Sequence, residues 1–210
     1  MKKYILSIAF ISFILIAGCA KKVPVTCNLT GSNICEVTGT IITGVVSDVH
    51  TIAQQVLQAM KTQDFQSLAS LASAKGVRFS PYQHVNPQTD IVLNIDEITN
   101  AMTISRSYTR GVYDGSGEPI NLGIGQYWEK FVYDADFAHA PEKYENQKFD
   151  RGNIINNIFD VYSGKQIFEY YFSGFDAQYE GMDRKSLILV FEQQNNEWKL
   201  IGVVHGQWSI

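Results

Sequence analysis

The sequence predicts an α+β domain that follows a short N-terminal export segment. Helical apolar stripes near residues 50 and 68 and three long β-type runs in the final third support this prediction. At 210 residues with 45% hydrophobic side chains, the chain is long enough for one sizeable core. A formal net charge of -4, without long runs of like charge, gives no basic footprint for nucleic acid.

The chain begins with two lysines, an apolar run of about 14 residues that ends at Ala17, and then Gly18 and Cys19. This run is shorter than the roughly 20 residues of a bilayer-spanning helix, so cleavage is expected. The letters LIAGC at 15–19 resemble the lipobox of bacterial lipoproteins. The resemblance implies that residues 1–18 are a signal peptide and that Cys19 is lipidated, with a palmitate-type acyl chain added. A plain secreted protein is the alternative.

This resemblance also implies a location in a bacterial cell envelope, with Cys19 as the membrane anchor. In a Gram-negative cell the expected site is the outer membrane, facing the periplasm. Residues 19–44 are predicted to be the lipidated N-terminus and a tether, because they lack a helical period. With Cys19 lipidated, Cys27 and Cys35 remain, and an oxidising compartment predicts a disulfide between them. A metal site is the rival, although zinc needs four ligands.

The first part of the domain is predicted to be helical. Ser47 is the expected N-cap of a helix whose apolar stripe is Val49, Ile52, Ala53, Val56 and Met60. Asp64 is expected to cap a second helix, ended by Gly76, whose inward side chains are Phe65, Leu68, Leu71 and Ala72. A third helix is predicted from Asp96 to about Met102. A fourth starts near Gly123 and carries Tyr127, Trp128 and Phe131.

The remaining patterns predict strands. Val77 and Phe79 point opposite to Arg78 and Ser80 in a short strand that Pro81 ends. The segment at 106–120 reads as a hairpin with an Asp114-Gly115 turn. Long strands are predicted over 166–173, 185–193 and 197–208, with a tight turn at Asn195-Asn196.

The last strand has two largely apolar faces. Strict alternation puts Trp198, Leu200, Val204 and Trp208 on one face. It puts Lys199, Ile201, Val203, His205 and Gln207 on the other. Helices are expected to cover one face. The other is covered either by a partner, such as a second copy in a homodimer, or by residues 134–165.

The order of these elements, with the segments quoted next, resembles bacterial lipoproteins that carry a nuclear transport factor 2-like (SnoaL-like, cystatin-like) domain. The matching segments are GVRFSPY at 76–82, DGSGEPI at 114–120, FVYDADF at 131–137, RGN at 151–153, GFDAQYEGMD at 174–183 and WKLIGVVHGQW at 198–208. The resemblance implies, over residues 45–210, a curved antiparallel sheet wrapped around N-terminal helices. Such a cone-shaped fold encloses an apolar pocket.

Three functions are compatible with this resemblance, because fold alone does not carry function. The first is non-catalytic binding of a small apolar or anionic ligand, or of an envelope protein, in the pocket, without cofactor or metal. The expected pocket residues are Arg78, Tyr82, His84, Tyr127, Asp183, His205 and Trp208. The second is an isomerase or dehydratase with His205 or an aspartate as general base. The third is a dimerisation or assembly module.

Several candidate residues have structural alternatives. His205 fits a hydrogen-bonded core histidine as well as a general base. Arg78 fits either an anion clamp or an ion pair with Asp134, Asp136 or Asp183. The acids of the 174–183 segment suggest a cation loop, but they lack EF-hand spacing and also fit an ordered connection. The four histidines show no zinc-like spacing.

Overall fold

The computed structural model describes residues 36–37, 40–41, 47–103, 107–152 and 155–208. The chain divides into two compact units, Met1–Val45 and Val46–Ile210. In the first unit, β1 (Glu36–Val37) and β2 (Thr40–Ile41) form a short antiparallel ladder within the predicted tether. The predicted signal peptide, the lipidation of Cys19 and the Cys27–Cys35 disulfide lie outside the described residues.

The described residues of the second unit form five α-helices: α1 (Val49–Thr62), α2 (Phe65–Leu71), α3 (Ile95–Thr99), α4 (Ile124–Phe131) and α5 (Ile158–Val161). Two short 3-10 helices span Phe137–His139 and Ala177–Tyr179. The predicted stripe of α1 is buried, as are the three aromatic residues predicted for α4. Asp64 caps α2 as predicted, because its carboxylate accepts a hydrogen bond of 3.0 Å from the Ser67 amide.

Helix boundaries differ from prediction at three places. Asp48, not Ser47, precedes α1, and its side chain makes no capping hydrogen bond. Helix α2 ends where Ala72 turns extended, before Gly76. Helix α3 is shorter than predicted and begins at a capping box, in which Asn94 and Glu97 each bond the other's backbone amide.

The strands of this unit are β3 (Val77–Ser80), β4 (Ile91–Leu93), β5 (Ser107–Val112), β6 (Pro119–Gly123), β7 (Glu142–Glu145), β8 (Gln166–Phe172), β9 (Lys185–Gln194) and β10 (Glu197–Gln207). Six form one sheet in the order β4-β3-β10-β9-β8-β7, and β5 and β6 form a separate hairpin. The three long strands predicted for the final third are confirmed. Asn195 and Asn196 both adopt left-handed φ angles, 51° and 66°, in the tight β9–β10 turn.

The sheet is mixed, so the expectation of a wholly antiparallel sheet is wrong. Strand β3 runs parallel to β10, with Phe79 opposite Val203, while the other neighbours in the sheet are antiparallel. The alternation of side chains along a strand specifies its faces but not which strand lies beside it. The pairing of β3 with β10 therefore joins two segments that lie near opposite ends of the domain sequence.

Both faces of the central strands are covered by the chain itself. The larger core lies between the sheet and α1, α2 and α4, and includes Leu187, Leu189 and Phe191 of β9. A smaller core on the opposite face joins Ile188 and Val190 of β9 to side chains outside the sheet, which include Val85, Ile158 and Tyr162. Two alternatives were expected to cover this second face, a partner chain or residues 134–165. Residues 134–165 cover part of it, through α5.

A β-bulge in β10 corrects the predicted faces of the last strand. Leu200 pairs with Phe191 and Gly202 pairs with Val190, so Ile201 is an extra residue. Beyond the bulge the alternation is inverted. Leu200 and Val203 share the larger core, whereas Val204 belongs to the smaller one. The grouping of Leu200 with Val204 is therefore wrong.

Gly202 lies where a side chain has no room. A Cβ at this position would lie 2.7 Å from the Tyr162 hydroxyl oxygen and 2.9 Å from the ring carbon that bears it. The absence of a side chain lets Tyr162 cross β10 directly after the bulge. The smaller core thus depends on this close approach.

Gly202→Ala is expected to lower the free energy of unfolding by about 1–3 kcal/mol, since the added methyl group overpacks against Tyr162. Adding Tyr162→Phe should restore part of the loss, because it removes the nearest atom. Urea denaturation of both single variants and the double variant measures the coupling. Equal stability of Gly202→Ala and wild type would contradict the close contact.

Candidate functional site: a cleft between the 81–90 loop and the β5–β6 hairpin

A cleft of about 460 Å³ separates the loop that follows β3 from the tip of the β5–β6 hairpin. One wall is formed by Pro81, Tyr82, His84, Asn86, Thr89 and Asp90. The other is formed by Gly111, Val112, Tyr113, Asp114, Gly115 and Gly117, and Ile155 also lines the cleft. The volume suits a small organic molecule.

The Asp90 carboxylate organises the loop wall. Its Oδ2 atom accepts hydrogen bonds from the Ser80 hydroxyl at 2.5 Å and from the Asn86 amide at 2.8 Å. Burial raises the pKa of Asp90, and these hydrogen bonds only partly offset that effect. Asp90 thus anchors the loop to the end of β3 and places a carboxyl group in the cleft wall.

Tyr82 connects the two walls. Its hydroxyl oxygen accepts a hydrogen bond of 3.1 Å from the Asp114 amide in the hairpin. Its ring packs edge-on against Phe131 of α4, with 5.7 Å between centroids. Burial raises the pKa of the Tyr82 hydroxyl, so it is neutral at physiological pH.

The lip of the cleft is apolar. Val112 and Ile155 are large hydrophobic residues that are 53% and 72% exposed. Exposed apolar side chains beside a concave site favour binding of apolar surface. The described side chains of the lining include the carboxyl groups of Asp90 and Asp114, and neither lysine nor arginine is among them. The cleft therefore suits a partly apolar molecule that donates hydrogen bonds.

Of the seven predicted pocket residues, Tyr82 and His84 line this cleft. Arg78 lies one strand position before Phe79, facing the smaller core, and its guanidinium donates to the Pro87 carbonyl at 3.1 Å. The three aspartates named as examples of an ion-pair partner for Arg78 interact with other groups, whereas the positive charge of Arg78 helps to lower the pKa of Asp90 against the effect of burial. Asp134 contacts Lys185 and His205, Asp136 contacts Lys61 and His139, and Asp183 accepts loop amides.

Tyr127 and His205 lie in the larger core around Phe131 instead of in a pocket. Their ring centroids lie 5.3 Å and 6.1 Å from that of Phe131. The Tyr127 hydroxyl donates to the Phe79 carbonyl at 3.3 Å. Trp208 follows β10 and is half-buried, away from the cleft lining. Packing of aromatic rings thus fills the space where a pocket at these residues was expected.

His205 belongs to a polar cluster with Asp134 and the half-buried Lys185. The His205 side chain is fully buried, and its Nε2 atom lies 3.0 Å from Asp134 Oδ1. The Lys185 ammonium lies 2.6 Å from Asp134 Oδ2. Burial opposes ionisation of Asp134, but hydrogen bonds and charge from His205 and Lys185 outweigh it and hold its pKa below the usual value. A carboxylate with a lowered pKa is a weak base, so this cluster suits structure better than proton abstraction.

The 174–183 segment is an ordered connection between β8 and β9. The Asp183 carboxylate accepts hydrogen bonds from the amides of Phe175 at 2.9 Å and Asp176 at 2.8 Å. Asp176 in turn accepts from the Gln178 amide at 3.0 Å. Asp176 and Asp183 therefore act as loop caps. Within the described part of the chain, no group of three or more His, Cys, Asp or Glu side chains could hold a metal ion.

Sequence patterns missed most of the cleft. Neither Asp90 nor Tyr113 belongs to a recognisable binding motif. The Asn-Pro pair shortly before Asp90 indicates only that this loop is rich in turns. Val112 and Ile155 come from segments far apart in sequence, so only the fold brings them to one lip.

No protein-family model matches this chain, and comparison with curated proteins and with solved structures finds no match. Among the described helices, none has both the length and the apolar character required to cross a bilayer.

Asp134→Asn is expected to lower the free energy of unfolding at pH 7 by about 1–3 kcal/mol, because it removes the carboxylate that both the buried His205 and the half-buried Lys185 contact. The folded pKa of Asp134 lies below its unfolded value, so this contribution is complete above about pH 4 and is lost as pH falls through the folded pKa. Urea denaturation at pH 7 and pH 3 measures the difference.

The matched control is Asp150→Asn, since the Asp150 side chain is mostly exposed and its pair with Lys148 is long, at 3.9 Å. We expect this control to change stability by less than about 0.5 kcal/mol. An Asp134→Asn effect that is equally large at both pH values would show that the lost carboxylate charge is not its cause.

Proposed function

We propose that this protein is a lipid-anchored lipoprotein of a bacterial cell envelope whose domain binds a small, partly apolar ligand without catalysing a reaction. The cleft between the 81–90 loop and the β5–β6 hairpin carries this proposal. Anchoring rests on the lipobox-like sequence that ends at Cys19. Further, we propose that the α+β domain is of the nuclear transport factor 2-like, cone-shaped type.

The composition of the cleft supports a binding role. Tyr82 and Tyr113 offer aromatic surface, and Val112 and Ile155 offer exposed apolar surface. Asp90 offers a carboxyl group whose position two hydrogen bonds fix. Such a pre-organised combination of apolar walls and few polar groups is typical of small-molecule sites. It favours a ligand with a hydrogen-bond donor over the anionic ligand considered from sequence.

The two other functions gain less support. An isomerase with His205 as base would need an open cavity at that residue, whereas His205 is fully buried against Phe131. An assembly module would use the outer sheet face, but α5 and Val85 already cover part of that face. Binding in the cleft requires no rearrangement of either region.

A thermal-shift screen of metabolites and short-chain lipids tests the binding role. The protein is the mature chain, from residue 19, with Cys19→Ser to keep it free of lipid. A true ligand at 100 times its Kd should stabilise the fold by about 2.7 kcal/mol. Ile155→Asp should abolish the shift by placing a charge at the apolar lip, whereas Tyr179→Asp, exposed in another loop, should not. A ligand shift that survives Ile155→Asp would refute the cleft as the binding site.

Lipidation has its own test in a bacterial host. The full chain should incorporate labelled palmitate and sediment with membranes, and Cys19→Ser should lose both properties because it removes the acceptor thiol. Cys27→Ser is the matched control and should retain the label. Absence of label from the wild-type chain would overturn the proposed anchor and leave the binding proposal unaffected.

A further inference from the structure

The carboxyl groups in the cleft wall narrow the class of ligand, on the premise that the cleft is a binding site as proposed above. Asp90 contributes one carboxyl group from the 81–90 loop, and Asp114 contributes one from the hairpin. Among the described lining residues, His84 alone can become positively charged. The lining thus favours a positive charge on the ligand over a negative one.

The Asp90 carboxylate has an oxygen to offer a ligand. The hydrogen bonds that the Ser80 hydroxyl and the Asn86 amide donate to Asp90 both end on Oδ2. They fix the carboxylate in place without using Oδ1. A carboxylate oxygen only accepts hydrogen bonds, so it suits a ligand that donates, and an ammonium group donates a charge-assisted bond.

The positive charges near Asp90 do not offset its burial. Arg78 and His84 both act to lower the pKa of Asp90, yet burial outweighs these charges and the two hydrogen bonds, so the pKa stays above its usual value. The Arg78 guanidinium donates to the Pro87 carbonyl at 3.1 Å and is not part of the cleft lining. The ionised carboxylate is therefore only partly compensated, and a cation inside the cleft would stabilise it further.

Aromatic rings add to the preference for a cation. Tyr82 and Tyr113 both line the cleft, and their ring centroids lie 5.7 Å and 6.0 Å from that of Phe131. The face of an aromatic ring attracts cations. Tyr113 already does so within the protein, because the Lys130 ammonium lies 4.5 Å from its centroid. Lys130 is exposed and lies outside the lining, so solvent and salt screen its repulsion of a second cation.

We propose that the ligand of this cleft is an organic amine in its ammonium form. The ammonium group donates to Asp90 Oδ1, and the apolar part of the amine packs against Val112 and Ile155 at the lip. A cleft of about 460 Å³ accommodates a molecule of this kind. Ile155→Asp would place a carboxylate beside the apolar part, so the loss of binding expected above also holds for an amine.

Three probes of one shape test the charge preference: 2-phenylethylamine, 2-phenylethanol and phenylacetate. At pH 7 they are a cation, a neutral molecule and an anion. Ligand-observed NMR titrations with the mature Cys19→Ser chain give their Kd values. We expect the amine to bind roughly tenfold more tightly than the alcohol, because a charge-assisted hydrogen bond replaces a neutral one. Phenylacetate should bind most weakly.

Two variants locate the charge that the amine recognises. Asp90→Asn should remove the preference for the amine, while retained binding of 2-phenylethanol shows that the cleft is still formed. Thr89→Lys leaves the hydrogen bonds of Asp90 intact, since Thr89 is an exposed residue of the lining. It should weaken the amine and strengthen phenylacetate. The matched control, Thr89→Gln, is similar in length but neutral and should do neither.

The outcomes separate this inference from the proposed function on which it rests. An alcohol that binds as tightly as the amine would overturn the inference and leave the cleft as a ligand site. An amine preference that survives both Asp90→Asn and Thr89→Lys would overturn it too, because the ammonium would then lie elsewhere. If Asp90→Asn loses the alcohol as well, Thr89→Lys decides. Absence of binding by all three probes would overturn the inference and count against the binding role itself.

Discussion

Burial of β9 on both faces is the constraint on which the rest of the domain depends. Leu187, Leu189 and Phe191 pack beneath the helices, while Ile188 and Val190 pack against the opposite layer. Removing apolar area from water on both sides contributes roughly 25 cal/mol for each Å². Both faces of β9 therefore have to be packed against other elements. The N-terminal helices pack on one face, and α5 packs on the other.

The two cores also position the cleft. The loop that follows β3 is attached to both, because the Tyr82 ring packs on Phe131 in the larger core while Val85 is buried in the smaller one. Asn157, just before α5, bonds both the amide and the carbonyl of Val85, at 2.7 Å and 2.9 Å. One cleft wall is thus held on both sides of the sheet. Pre-organisation of this kind lowers the entropic cost of binding.

The β10 bulge governs the chemistry of the larger core. Because Ile201 is inserted, the residues after it change sides, and His205 faces the helices close to Asp134. The histidine that looked most suitable for catalysis is consequently fully buried and paired with Asp134. The cleft between the 81–90 loop and the β5–β6 hairpin is open to solvent instead, and burial raises the pKa of the Asp90 carboxyl group in its wall.

The sequence by itself determined the elements of the fold. The apolar stripe of α1, the cap of α2 at Asp64 and the turn at Asn195-Asn196 follow from local spacing and local hydrogen bonds, which short segments carry without their surroundings. Pro81 ends the short strand that contains Arg78, so the sequence also placed Tyr82 and His84 in the loop that follows it.

Only the tertiary structure decided the parallel pairing of β3 with β10, the bulge at Ile201 and the meeting of Val112 with Ile155 at one lip. Strand pairing, strand direction and cleft shape arise from contacts between residues far apart in the chain. The energy of those contacts depends on packing partners that no local pattern names.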